Sequence, residues 1–145
     1  MKPAGMAGGV KSRGAAGGVT SAVVLVVDDD EDNIRIVSSI LLARGFEVRL
    51  ARDGRSALES IRQQRPDLVL LDVLMPGLDG MQVLDHIRAN PQSSSVPVIM
   101  LTAKTTDQDL LDGYRSGASY YVTKPFTSRQ LLYAIALVLG REPPG

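Results

Sequence analysis

Apolar and polar positions along the chain alternate in two periods. Short aliphatic runs are separated by longer segments with apolar residues at helical spacing. The first run, Val23 to Val27, precedes a helical pattern carrying Val37, Ile40, Leu41 and Arg44, which Gly45 closes. In "FEVRLA", residues 46–51, Phe46, Val48 and Leu50 alternate with Glu47 and Arg49, the period of a strand with one wet side. "GRSALESIRQQ" places Ala57, Leu58 and Ile61 on one helix face, and Pro66 ends it. "DLVLLDV", 67–73, and "VPVIMLTA", 96–103, read as buried strands, with a helix between them carrying Val83, Leu84 and Ile87 inward. "TTDQDLLDGYRSG" predicts a helix closed by Gly117, and "SYYVT", 119–123, a short strand. The last helix opens at Thr127, where Thr-x-x-Gln has the form of a capping box, and repeats Leu131, Ile135 and Val138 along one face.

Five strands alternating with five helices predict an α/β fold, a doubly wound parallel sheet between two helix layers. Runs 23–27, 67–71 and 97–101 are apolar apart from the leading Asp67, as strands covered on both faces must be. Run 46–51 suits one edge and run 119–123 the other. Strand order 2-1-3-4-5 satisfies all five, and ligands of such sheets bind beyond the carboxyl ends of the strands where the winding reverses.

Composition narrows the class. The chain has 145 residues, enough for one domain with a substantial core. Sixteen basic and sixteen acidic residues cancel, so the surplus of positive charge common in nucleic-acid binders is missing. Cysteine is absent, which excludes disulfides, thiolate metal sites and a cysteine nucleophile. No apolar run approaches membrane-spanning length, and the N-terminus lacks the apolar stretch of a secretory signal. Residues 1–21, rich in Gly and Ala, read as a flexible tail, 22–140 as the domain, and 141–145 as a C-terminal tail.

The chemistry gathers at the carboxyl ends. Asp28 and Asp29 follow strand 1, Asp72 lies near the end of strand 3, Thr102 ends strand 4 and Lys124 follows strand 5. An Asp after a strand is ordinarily a cap or turn residue, and for Asp28 alone that reading is preferred. Asp72 sits inside "LVLLDVLM", where neither a cap nor a solvated face is expected. Three carboxylates in one pocket need a counter-charge, and oxygen-only ligands suit Mg²⁺. Asp30, Glu31 and Asp32 are expected in the first turn of the following helix, where its dipole favours acids. His86 is expected in solvent, and "PGLDG", 76–80, as a turn and helix start.

The stretches "VLVVDDDEDN", "LVLLDVLMPGLDG", "PVIMLTA" and "GASYYVTKPF" resemble the receiver domains of two-component response regulators, over residues 23 to about 139 and in the same order. The resemblance implies a flavodoxin-like fold, the strand order of chemotaxis receivers. It implies Asp72 as phospho-acceptor and metal ligand, Asp29 as direct Mg²⁺ ligand, Asp28 acting through water, and the Leu74 backbone carbonyl as a further ligand. Thr102 and Lys124 would contact the incoming phosphoryl group. Tyr121 would change rotamer on activation, entering space that Thr102 vacates, and Pro125 would follow a cis bond. Leu74 and Lys104 would tune phosphoryl lifetime, and the apolar Leu74 implies slow self-hydrolysis.

The implied function is a cytoplasmic signalling switch that promotes its own phosphorylation and dephosphorylation without turning over a metabolite. It would receive a phosphoryl group from a histidine kinase or histidine phosphotransfer protein. It would then present an altered helix 4–strand 5–helix 5 surface, residues about 106–138, to a downstream effector, an output domain or a second copy in a homodimer. Contact with nucleic acid by this chain alone, or with membrane, is not expected. The competing readings are a Mg²⁺-dependent phosphohydrolase with Asp72 as nucleophile, and a receiver-like interaction module that is never phosphorylated. Only "REPPG" follows the last helix, so the chain reads as a single-domain regulator or a fragment of a longer protein.

Overall fold

A computed structural model describes residues 22–103 and 107–141. The expected tail over 1–21, Lys104 and most of the C-terminal tail lie outside the described residues. The strands are β1 (Val23–Val27), β2 (Glu47–Ala51), β3 (Leu68–Asp72), β4 (Val98–Thr102) and β5 (Tyr120–Thr123). The helices are α1 (Glu31–Ala43), α2 (Gly54–Gln63), α3 (Gly80–Ala89), α4 (Asp107–Arg115) and α5 (Ser128–Leu139). The strands form one parallel sheet in the order β2-β1-β3-β4-β5, as the apolar runs predict.

Each central strand feeds two cores. Successive side chains of a strand point to opposite faces. Leu25, Val27, Val69, Leu71 and Met100 therefore meet Ala57 and Ile61 of α2 and Val83, Leu84 and Ile87 of α3 on one side. Val24, Val26, Leu68, Leu70, Ile99 and Leu101 meet Val37 and Leu41 of α1 and Leu131 and Ile135 of α5 on the other. This two-sided demand is why β1, β3 and β4 are continuous aliphatic runs. Each fully buried Leu or Ile contributes on the order of 2 kcal/mol of transfer free energy.

The helix boundaries follow local chemistry. Thr127 and Gln130 form the expected capping box, with Gln130 N donating to Thr127 Oγ1 at 3.0 Å and Thr127 N donating to Gln130 Oε1 at 2.9 Å. Asp79 and Gln82 form a second one at the start of α3. Gly45 and Gly117 adopt φ of 87° and 106°, left-handed geometry that lets the chain turn after α1 and α4.

Two expectations are corrected. Asp30 is the N-cap of α1 and not part of its first turn, its Oδ1 accepting from Asp32 N at 2.9 Å. The alternation in β2 breaks at its end, where Leu50 is 42% exposed. Arg49, read as the wet side, is half-buried, and its guanidinium donates to the Gln64 and Ser60 carbonyls at 2.8 and 3.5 Å. Its charge sits at the C-terminal end of α2, where a cation is favoured.

Candidate functional site

Parallel strands bring all five carboxyl ends to one rim. Asp28 leaves β1 with its amide donating to the Ala51 carbonyl of β2 at 3.1 Å. Its carboxylate turns back, and Oδ1 accepts the Asp30 amide at 2.9 Å. Asp72 is the last residue of β3. Lys124 follows β5 and is tied to β4 by its amide, which donates to the Thr102 carbonyl at 2.9 Å. The Lys124–Pro125 peptide is cis.

These backbone ties converge the side chains. One carboxylate oxygen from each of Asp28, Asp29 and Asp72 lies within 4.8 Å of the others. Lys124 Nζ stands 3.4 Å from Asp28 Oδ2 and 3.5 Å from Asp72 Oδ1. Asp28 and Asp72 are 3% and 6% exposed, while Asp29 is open to solvent. Thr102 is wholly buried at the end of β4, the strand paired with that of Asp72. The capping role first preferred for Asp28 falls instead to Asp30.

Burial dominates the electrostatics of Asp72. Loss of water pushes its pKa up from 3.8 to about 6, and the Asp28 charge pushes the same way. The Lys124 ammonium and the Leu74 amide, which donates to Asp72 Oδ1 at 3.3 Å, oppose the rise. The site is thus short of positive charge. Its donors are oxygens, without His or Cys in the cluster, a set that fits a hard divalent cation such as Mg²⁺.

The loop after β3 carries Leu74, whose side chain is 52% exposed and offers no polar atom to the site. Tyr121 is buried under α4, with its hydroxyl donating to the Asp109 carbonyl at 3.3 Å. Its ring centroid is 5.7 Å from that of Tyr114. Tyr121 is therefore already inward. The sequence reading missed its seat on α4, although Gly113 inside a helical pattern was the available signal. His86 is exposed, as expected.

A family profile described as "Response regulator receiver domain" matches residues 24–136. The chain is 42% identical over 119 residues to the DNA-binding response regulator MtrA of Mycobacterium tuberculosis, covering 82% of this chain and 51% of MtrA. It is 42% identical over 125 residues to the transcriptional regulatory protein PrrA of the same organism, covering 86% of this chain and 53% of PrrA. It thus spans about half the length of the curated relatives it matches. Among solved structures, the chemotaxis protein CheY4 of Vibrio cholerae superposes with a TM-score of 0.78 at 34% identity, covering 82% of this chain and 99% of CheY4. The receiver domain of sensor histidine kinase PA1611 of Pseudomonas aeruginosa, solved with a magnesium ion in its active-site cleft, gives a TM-score of 0.77 at 31% identity, covering 83% of this chain and 99% of that one. Among the described residues, no helix is long and apolar enough to cross a membrane.

Proposed function

The chain belongs to the response regulator receiver domain family, and from that premise we propose that it is a phosphorylation-dependent switch with Asp72 as the phospho-acceptor. The observation that carries the proposal is the single ammonium of Lys124 standing within 3.5 Å of two buried carboxylates. That arrangement is undercharged until a cation arrives and then accepts a phosphoryl group readily.

Asp28, Asp29, Asp72 and the Leu74 carbonyl would hold Mg²⁺, with Asp28 acting through water. The ion, when bound, neutralises phosphoryl oxygens and removes their repulsion from the carboxylates. Lys124 steers the same group by charge, and the Thr102 hydroxyl donates to one of its oxygens. A carboxylate oxygen of Asp72 attacks phosphorus in line, the P–N bond to a donor imidazole breaks, and that nitrogen keeps the electron pair. The product is an acyl phosphate on Asp72. The donor would be a histidine kinase or a histidine phosphotransfer protein.

Thr102 and Tyr121 would relay the change to the α4–β5–α5 surface, where Leu111, Tyr114, Tyr133 and Leu137 are exposed. An output domain, a separate effector or a second copy of the chain would read that surface. MtrA and PrrA carry DNA-binding and transcriptional functions in their names. For the residues of this chain we propose no direct nucleic-acid contact, and a cytoplasmic location. Leu74 and Lys104 would set the phosphoryl lifetime, and Leu74, unable to orient a water, favours one longer than seconds. A phosphohydrolase is disfavoured because such enzymes often carry a second acid two residues beyond the nucleophile, the position Leu74 occupies here.

Intact mass after treatment with acetyl phosphate and Mg²⁺ tests the proposal. One added phosphoryl group is expected on the native chain and none on Asp72→Asn. Absence of the adduct on the native chain, or its persistence in the variant, would overturn it. Sustained release of phosphate from phosphate esters would instead favour the hydrolase.

A further inference from the structure

Gly80 is buried at the start of α3, and its amide donates to the Val73 carbonyl at 3.0 Å. Its φ is not among the positive values, so left-handed freedom does not explain the glycine. Space does. A Cβ at Gly80 would overlap the Asp72 carbonyl oxygen and come within 2.6 Å of Val73 Cα and 3.1 Å of the Asp72 carbonyl carbon. These are backbone atoms of a packed strand end, which cannot swing aside as a side-chain tip can.

Gly54, at the start of α2, touches the same loop from the other side. A Cβ there would come within 2.7 Å of the Leu78 carbonyl oxygen and 2.8 Å of Leu78 Cβ and Val83 Cγ2. Two helix starts thus close on the segment from Val73 to Gly80. Their contacts differ in kind. Gly54 presses on Leu78, far along the loop from Asp72, whereas Gly80 presses on Asp72 itself and on the residue joining it to Leu74.

We infer that Gly80 is a positioning residue for the phosphoryl-accepting site. By bringing α3 directly against the Asp72 backbone, it sets where the Asp72 carboxylate and the Leu74 carbonyl stand relative to Asp28 and Asp29. This rests on the phospho-acceptor reading above. Constellations of this kind tolerate little: a displacement of about 1 Å can cost on the order of 100-fold in rate.

The test compares Gly80→Ala with Gly54→Ala. Both variants crowd the same loop, so both lower urea stability in EDTA. Mg²⁺ affinity, measured by calorimetry and by titration of the Asp72 and Leu74 amide resonances, separates them. Gly80→Ala is expected to weaken Mg²⁺ at least tenfold and to slow acyl-phosphate formation in parallel, whereas Gly54→Ala changes Mg²⁺ affinity less than twofold. Equal effects of the two variants on Mg²⁺, or none from Gly80→Ala, would overturn the inference. If Gly80→Ala does not fold, Asp79→Ala decides. It removes the α3 cap and loosens the same junction without a clash, so Mg²⁺ affinity should fall two- to fivefold, and unchanged affinity overturns the inference. Absence of the phosphoryl adduct on the native chain would count against the phospho-acceptor reading alone, because Mg²⁺ affinity is measured without it.

Discussion

Lys124 Nζ lies 3.5 Å from Asp72 Oδ1, across the gap between the last strand and the middle one. The ammonium is the positive charge that meets both Asp72 and Asp28 in the described site. Lys124→Met keeps the length of the side chain and removes the charge. Loss of one preorganised electrostatic group typically costs 100- to 1000-fold in rate. Phosphorylation by acetyl phosphate, followed by mass, should slow by about that factor while the circular dichroism spectrum stays native.

The raised pKa of Asp72 predicts a pH response with a defined sign. At limiting Mg²⁺, ionisation at about 6 leaves Asp72, the proposed nucleophile, mostly protonated at pH 5. The phosphorylation rate at pH 5 should then be roughly one-tenth of that at pH 7. The stability consequence runs the other way from a salt-bridged acid. The folded state binds this proton more tightly than the unfolded chain, so metal-free stability falls as pH rises from about 4 to about 6. The full shift corresponds to no more than about 3 kcal/mol. Urea unfolding in EDTA at pH 4.5 and 7 should show that Asp72→Asn gains on the native chain as pH increases.

Gly113 holds the seat of Tyr121. A Cβ at position 113 would overlap the Tyr121 ring and come within 2.8 Å of its hydroxyl oxygen. The obstacle is the free end of a side chain, so Gly113→Ala should displace the ring and not unfold the domain. Alanine also favours the helix by about 1 kcal/mol over glycine. Burial raises the Tyr121 phenol pKa in the native chain. In Gly113→Ala the phenol should titrate lower, read from carbon chemical shifts of labelled tyrosine, with stability changed by less than about 1 kcal/mol.

Thr127 caps α5 directly after the segment bearing Lys124 and the cis peptide. Thr127→Ala leaves the Gln130 amide without its side-chain acceptor and should cost about 1 kcal/mol. Urea denaturation should show a lower midpoint with an unchanged slope.

The strand order was legible because a strand covered on both faces has no polar position to spare, and β1, β3 and β4 have none before the terminal Asp72 and Thr102. The convergence of Asp28, Asp72 and Lys124 followed from strand ends alone, and Thr102 ends the neighbouring strand. What pattern could not reveal is how far each neighbouring element reaches. Leu50 looked buried by alternation yet is exposed. Arg49 looked solvated yet spends its charge on the end of α2. Asp30 could be told from its acidic neighbours as the cap only by the helix amides its carboxylate accepts. Gly113 breaks a helical pattern and Gly80 opens one, yet the contribution of each is the atom it lacks, and which neighbour uses that space is a three-dimensional fact.

A sheet whose strands all run one way has two unlike rims. Opposite the acidic pocket, Asp67 accepts from the Val23 amide at 2.7 Å and Arg65 donates to Ser95 at 2.8 Å. Those bonds fasten the ends from which the strands start, a full strand length from Lys124. Fastening and the proposed phosphoryl chemistry are thereby assigned to separate ends of the same molecule, so the lower rim can be reinforced or redesigned while the upper one is left alone.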